Sequence, residues 1–416
     1  MIVNRSYTVG RAELLAAGGF VPAIEGLFDS EPLRWYISDA DPERVLVEAT
    51  ECDGIVAAPL PAAVPPAPGG IGVVISLIPT GVGCSIGGYA GDAAPATALL
   101  AAAADYVVTN PNAVNASNFI SIGERVLYTE GACIDLFVRG MVNLYQPYAN
   151  RVGIIVERAS RTALDEVFNI VNTVRAVYGI DIVDVVVTDQ PIGTRSVRNP
   201  SGGYTGQIDR PDVLLKAAQQ LLDAGATAIA VTTDVQELST GSYSDHFQGR
   251  HPNPVGGAEA VLSHLIVRTF STPAAHAPLV NFKDVALPEG VVDARGAGEF
   301  VSANGLASVL IGLRRAPQIT GAARCRIART VGLDDVLAVV APASALGGIP
   351  VLEAAHRGIP VIGVADNETI IDVTAERLQL DGVTGVRSYA EAAGVILALR
   401  HGISLESLQR PLPSRA

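Results

Sequence analysis

Five glycines fall within thirteen residues, Thr80 to Asp92 (Gly81, Gly83, Gly87, Gly88 and Gly91). The stretch follows an apolar run, Ile71 to Ile78, that reads as a buried strand. It precedes an Ala/Leu-rich run, Ala93 to Ala104, that reads as a helix. Strand, glycine loop and helix in that order constrain the chain to an α/β architecture, because this is how such folds bring backbone amides close to a ligand. From Ile71 onward apolar strands and helical runs alternate. The strands are uniformly apolar rather than alternating, as strands buried on both faces are. The expected fold class is α/β: open, mostly parallel sheets with helices on both faces, two lobes around a cleft, and a small N-terminal α+β appendage.

The appendage is expected over residues 1–56. Ala12 to Leu27 has helical spacing, and Leu33–Asp39 and Glu43–Glu51 pair as strands across a turn at 39–42. Residues 57–70, with five prolines, read as a semi-rigid linker. The core then spans 71–405, with a crossing between lobes near 268–330 and a loose tail over 406–416. Asp92 and Asp209 are expected as helix caps, and the excursion from Gln190 to Gln207 as a mobile lid.

At −13 the net charge, with no block of basic residues, argues against nucleic acid or an anionic membrane as the main partner. Four widely spaced cysteines without a C-x-x-C pair, and an N-terminus without a charged-then-apolar leader, point to a reduced, cytoplasmic setting. The high apolar content permits a homo-oligomer.

Candidate site residues cluster after expected strands, where doubly wound sheets bind ligands. Thr80, Gly81, Gly83, Gly87 and Gly88 form the first cluster. It lacks the Lys-Ser/Thr of a phosphate loop and the third glycine of a dinucleotide fingerprint, so no cofactor is named. Asn112 and Asn115 form the second. Asp189 ends a strand. Four of six histidines lie between His246 and His276, without zinc spacing, and no metal is expected. His276, between Pro273 and Pro278, reads as an imidazole on a stiff loop; His251 is the next candidate, and Glu259 and Asp189 are candidate partners. His264 reads as a core residue of an apolar helix, and Cys84 as a buried thiol. Ser344, Gly347 and Gly348 form a second glycine turn, expected to face the first across the cleft.

Several motifs in order (Pro79 to Asp92, Asn110 to Asn115, Val187-Thr188-Asp189, Gly257 to His264 and Ala275 to Pro278) resemble a family of uncharacterised proteins known from cyanobacteria, plastids and other bacteria. The resemblance runs from about residue 72 to 372 and implies one structural unit without implying an activity. Locally, Leu352-Glu353-Ala354 and Gly358-x-Pro360-Val361 resemble the donor-binding stretch of GT-B glycosyltransferases, with Ala345 where those enzymes carry an acidic residue. The expected function is an enzyme acting on a small anionic metabolite, a carboxylate or phosphate ester, by general acid–base chemistry with amide stabilisation of an oxyanion. Hydrolysis, transfer and elimination stay open. The alternatives are a small-ligand binding or regulatory module and a nucleotide-sugar transferase.

Overall fold

Two parallel sheets carry the molecule. In the computed structural model, residues 2–52, 71–110, 123–236, 242–279, 290–301, 305–321, 330–412 and 414 are described. The expected linker, 57–70, lies outside them. Six strands form the larger sheet, in the spatial order Val383–Val386, Val361–Val364, Val336–Pro342, Val73–Ser76, Tyr106–Thr109, Val126–Tyr128. Every neighbouring pair is parallel. Two of its inner strands, Val73–Ser76 and Val361–Val364, are buried at every position, as their mostly Val/Ile content requires. Four strands form the second sheet, in the order Ala274–Pro278, Ala228–Thr233, Arg151–Val156, Asp181–Val187, again all parallel.

The chain builds half of the large sheet, leaves it after Tyr128, builds the small sheet with residues 151–278, and returns at Val336. Helices fill the crossovers. Arg161–Tyr178 starts where the Ser160 hydroxyl accepts from the Ala163 amide at 3.3 Å and stops at Gly179, whose φ of 61° is left-handed. It lays Val167, Val171 and Val174 into the core and leaves its other faces in solvent.

Some local expectations are corrected. The run from Ala12 to Leu27 is two short helices, Arg11–Ala16 and Phe20–Glu25, broken at Gly18 and Gly19. Asp92 accepts from the Tyr89 amide rather than capping the helix Ala94–Ala103. Asp209 pairs with Arg195, leaving Arg210 at the cap position of Pro211–Asp223. The excursion expected as a lid is a β-hairpin, Thr194–Arg198 against Tyr204–Ile208. His276 sits in a strand of the small sheet, paired with Val231, because the residues between Pro273 and Pro278 are free to join a parallel ladder.

The N-terminal segment is a three-stranded antiparallel sheet: Ile2–Gly10 and Arg34–Ala40 flank Arg44–Cys52. It is fastened to the rest of the chain along its length. Ile37 donates its amide to the Gly347 carbonyl at 3.0 Å. Arg34 donates to the Thr205 hydroxyl at 2.7 Å. Glu25 pairs with Arg139, and Glu31 with Arg268.

Candidate functional site

The strand order of the large sheet reverses between Val73–Ser76 and Val336–Pro342: one half of the sheet grows away from each. Loops leaving the carboxyl ends of two such strands diverge and leave a crevice, the usual ligand position in doubly wound folds. A cavity of about 190 Å³ lies there. Leu77 to Thr80 enter it from one strand end, and Ala345, Gly347 and Gly348 from the other. Asn110, at the end of the next strand, fixes the first loop by accepting from the Ile78 amide at 3.1 Å and donating to its carbonyl at 2.9 Å.

Glu130, Asp135, Glu259, His264 and His276 line the cavity, as do Arg34 and Tyr36. Glu130 caps the helix Gly131–Val138, its Oε2 accepting from the Ala132 amide at 2.7 Å, and its Oε1 pairs with His264 Nδ1. The same Nδ1 lies 2.8 Å from the Ala260 carbonyl. A carbonyl only accepts, so Nδ1 carries a proton and Nε2 is left as the base. Glu259 and His264 come from one helix, Gly256–Phe270, which brings residues 259, 260, 263 and 264 to the cavity on a single face. Glu259 Oε1 approaches His276 Nδ1 to 3.3 Å, without the alignment of a hydrogen bond. His276 Nε2 is held at 2.7 Å by the Thr233 hydroxyl. Thr233 is fully buried, which makes it a support for the ring and closes it to attack on a ligand.

Burial pushes the Asp135 carboxyl up to about 7, against the opposing pull of His264, Arg139 and Arg268. Burial also raises the Tyr128 phenol, with Glu259 and Glu130 adding to the effect. Among the described residues, no group of three or more His, Cys, Asp or Glu side chains could hold a metal ion.

Ile78, Val82, Ile134, Ile349 and Ile371 give the wall an apolar part, beside the polar Thr80, Asn110 and Ser263. The N-terminal segment closes it with Trp35, which is 4% exposed. Its indole N–H has no hydrogen-bond partner.

The residues singled out in the sequence divide sharply. Thr80, Glu259, His276, Gly347 and Gly348 line the cavity. Gly81, Gly83, Gly87 and Gly88 do not, for reasons of packing. A Cβ on Gly81 would stand 2.2 Å from the Tyr204 carbonyl oxygen. Gly83 packs on Pro252, Gly87 on Ile78 and Gly88 on the Cys84 carbonyl. Loop amides are spent on protein as well: Ser85 donates to the Glu368 carbonyl, Ile86 to Asn367 and Ala90 to Glu299. Gly347 is a glycine because the Ile37 carbonyl would lie 2.3 Å from its Cβ. The second glycine turn therefore lines the cavity, while the glycines of the first lie off it as close-packed backbone. Ser344 bonds to Thr369 at 2.9 Å outside the cavity. Asp189 and His251 are exposed and away from it. Asn112 and Asn115 lie outside the described residues. Cys84 is buried and its thiol is pushed up to about 12, chiefly by burial, so it is no nucleophile.

Sequence reasoning missed Glu130, Asp135 and Trp35 and set His264 aside. The one available signal was Glu130 two residues after an apolar strand and immediately before a helix.

A family model described as a protein of unknown function (DUF3326) matches residues 73–409. An uncharacterized lipoprotein of Synechococcus sp. is 36% identical over 337 residues, covering 80% of this chain and 92% of its own length. That name corrects the cytoplasmic placement expected from the sequence, since a lipoprotein is held at a membrane. Among the described residues no helix is long and apolar enough to cross one.

Proposed function

The chain belongs to the DUF3326 family of proteins of unknown function, and we propose that its members use the cavity at the sheet reversal for general acid–base chemistry on a small molecule. The observation that carries this reading is His264. Its Nδ1 is clamped between Glu130 and the Ala260 carbonyl, which fixes the tautomer and orients the lone pair of Nε2. A carboxylate that orients an imidazole also stabilises the imidazolium formed when the ring takes a proton. Asp135, raised to about 7, is divided between its two protonation states near neutrality and can return a proton. Glu259 and His276 form a second carboxylate–imidazole pair beside the first.

The reading departs from the anionic substrate suggested by the glycine loops. Three carboxylates stand beside two imidazoles in the cavity wall, and the guanidinium of Arg34, which also lines it, is engaged by the Thr205 hydroxyl. A neutral or cationic reacting group suits it better than a phosphate. The relative's name supports a working location at a membrane surface for this chain too.

The test is consumption of metabolites. Purified protein is incubated with a small-molecule extract, and mass features that fall with time are compared with those for His264→Gln and Glu130→Gln. A feature consumed by wild type and slowed about 10²- to 10⁴-fold by His264→Gln is expected. Equal consumption by the variants would remove the acid–base assignment. Retention of a molecule without turnover would make the cavity a binding site alone.

A further inference from the structure

Two buried polar atoms on the cavity wall lack a hydrogen-bond partner: Trp35 Nε1 and His276 Nδ1. Both residues are 4% exposed. A buried N–H without an acceptor costs about 1–3 kcal/mol, so a native fold seldom keeps one that nothing ever satisfies. His276 at least faces Glu259. Trp35 does not have even that, although its neighbours on the strand are fully used: Arg34 donates to Thr205, and Tyr36 donates to Glu48 while accepting from Asn199.

We propose that the cavity takes a small amphiphilic molecule with an apolar body, a cationic amino group at Glu130, Glu259 and Asp135, and a hydrogen-bond acceptor that receives the Trp35 N–H. This rests on the acid–base reading of the same site and adds the class of its ligand. Three features carry it. The carboxylates outnumber the imidazoles, and Arg34, which also lines the cavity, is engaged by the Thr50 and Thr205 hydroxyls, which favours a positive head. Ile78, Val82, Ile134, Ile349 and Ile371 supply an aliphatic part of the wall, which favours an apolar body. The indole N–H is a buried donor without an acceptor, where an acceptor gains most from meeting it. The volume, about 190 Å³, equals roughly six waters, which suits a short aliphatic amino acid or amino amide. Trp35 lies outside the residues matched by the family model, 73–409. The acceptor end of the ligand is thus chosen by the N-terminal segment, while the acidic end is chosen by the matched core.

The chain supplies its own probe, because Trp35 is its only tryptophan. The full-length protein is titrated with 6-aminohexanoate, hexylamine and hexanoate while Trp35 emission is followed, with thermal shift as the second readout. Saturable changes are expected with both amines, with 6-aminohexanoate about five- to tenfold tighter than hexylamine, the worth of one added hydrogen bond. In Trp35→Phe, followed by thermal shift alone, that preference disappears while both amines still bind. Hexanoate binding as well as either amine would overturn the acidic-end assignment. An undiminished preference in Trp35→Phe would overturn the acceptor assignment. If none of the three binds, while the extract is still consumed in a His264-dependent way, the ligand class is wrong and the acid–base site stands. If consumption is also independent of His264, both fall.

Discussion

The two parallel sheets each reverse their strand order once, and the two reversal points have opposite fates. In the large sheet the crevice between Val73–Ser76 and Val336–Pro342 opens into the cavity. In the small sheet the reversal falls between Arg151–Val156 and Ala228–Thr233. There Glu157 follows the first strand directly and is 3% exposed. Its carboxylate accepts from the amides of Ile192, Gly193 and Asp234 at 2.5, 3.0 and 2.9 Å. Converging backbone amides at a strand end are what an anion site is made of, and here the protein's own side chain is the anion. A reversal point is therefore an opportunity that the local sequence decides. A buried carboxylate in reach of the amides seals it. At the other reversal, carboxylates and imidazoles arrive from helices and an edge strand, and space is left between them.

The comparison breaks most decisively at the open crevice. His264→Gln should cost about 10²- to 10⁴-fold in turnover of whatever the protein consumes, with little change in urea midpoint, because Gln keeps a polar group of similar reach. The sealed crevice should respond in the reverse sense. Glu157→Ala leaves three buried donors without an acceptor and should lower the unfolding free energy by about 3–5 kcal/mol. Added formate, small enough to replace the lost carboxylate, should restore part of that loss where chloride restores less. A Glu157→Ala protein as stable as wild type would show that the amides find other partners and that the crevice is not sealed by charge.

The architecture was legible because uniformly apolar strands and glycine-bounded helices are local signals. The large sheet's members could be picked out one by one from runs such as Val73–Ser76 and Val361–Val364. The site was half legible. His276 and Glu259 stand in a histidine-rich segment that draws attention. His264 was hidden by its surroundings, since a helix with ten of its fifteen residues buried gives a histidine no visible reason to be there other than packing. Glu130 and Asp135 are ordinary acidic residues until a second helix, more than a hundred positions later, brings His264 to them. Trp35 reaches the wall through pairing with the Gly347–Gly348 turn, some three hundred residues away. The glycine loop misled for a physical reason. Glycine marks any place where backbone comes close to something, and at Gly81 that something is the Tyr204 carbonyl instead of a ligand.

Two glycine substitutions sharpen this last point. Gly81 combines a φ of 80° with a Cβ position 2.2 Å from carbonyl oxygen. Gly81→Ala should destabilise the fold by about 2–4 kcal/mol while leaving ligand affinity of the folded fraction unchanged. At Gly131 the Cβ would meet only the His264 ring, Cε1 at 3.0 Å and Nε2 at 3.5 Å. There the ring has to give by a few tenths of an ångström, so Gly131→Ala should cost no more than about 1 kcal/mol in stability and about tenfold in turnover. Loss of ligand affinity in Gly81→Ala, or unchanged turnover in Gly131→Ala, would exchange the roles of loop and cavity.

A last comparison separates two buried carboxyls that titrate alike. Asp92, under the glycine loop, and Asp135, on the cavity, are both pushed up to about 7 from 3.8, each chiefly by burial. Around Asp135 stand His264, Arg139 and Arg268, which favour its charge, and Glu130, which opposes it. Between pH 4 and 7 the native state holds a proton at each site that the unfolded chain has released. Stability therefore falls as pH rises through that window, and the loss is complete above about pH 7. The shift corresponds to about 4 kcal/mol for a dry site, and hydration from the cavity should bring the Asp135 share to about 1–2 kcal/mol. Urea unfolding of Asp92→Asn and Asp135→Asn at pH 5 and pH 8 measures both. Each variant should lose part of the wild-type decline between the two values, while only Asp135→Asn should alter the pH profile of turnover. If Asp92→Asn changes that profile equally, the proton that matters for chemistry is not confined to the open crevice.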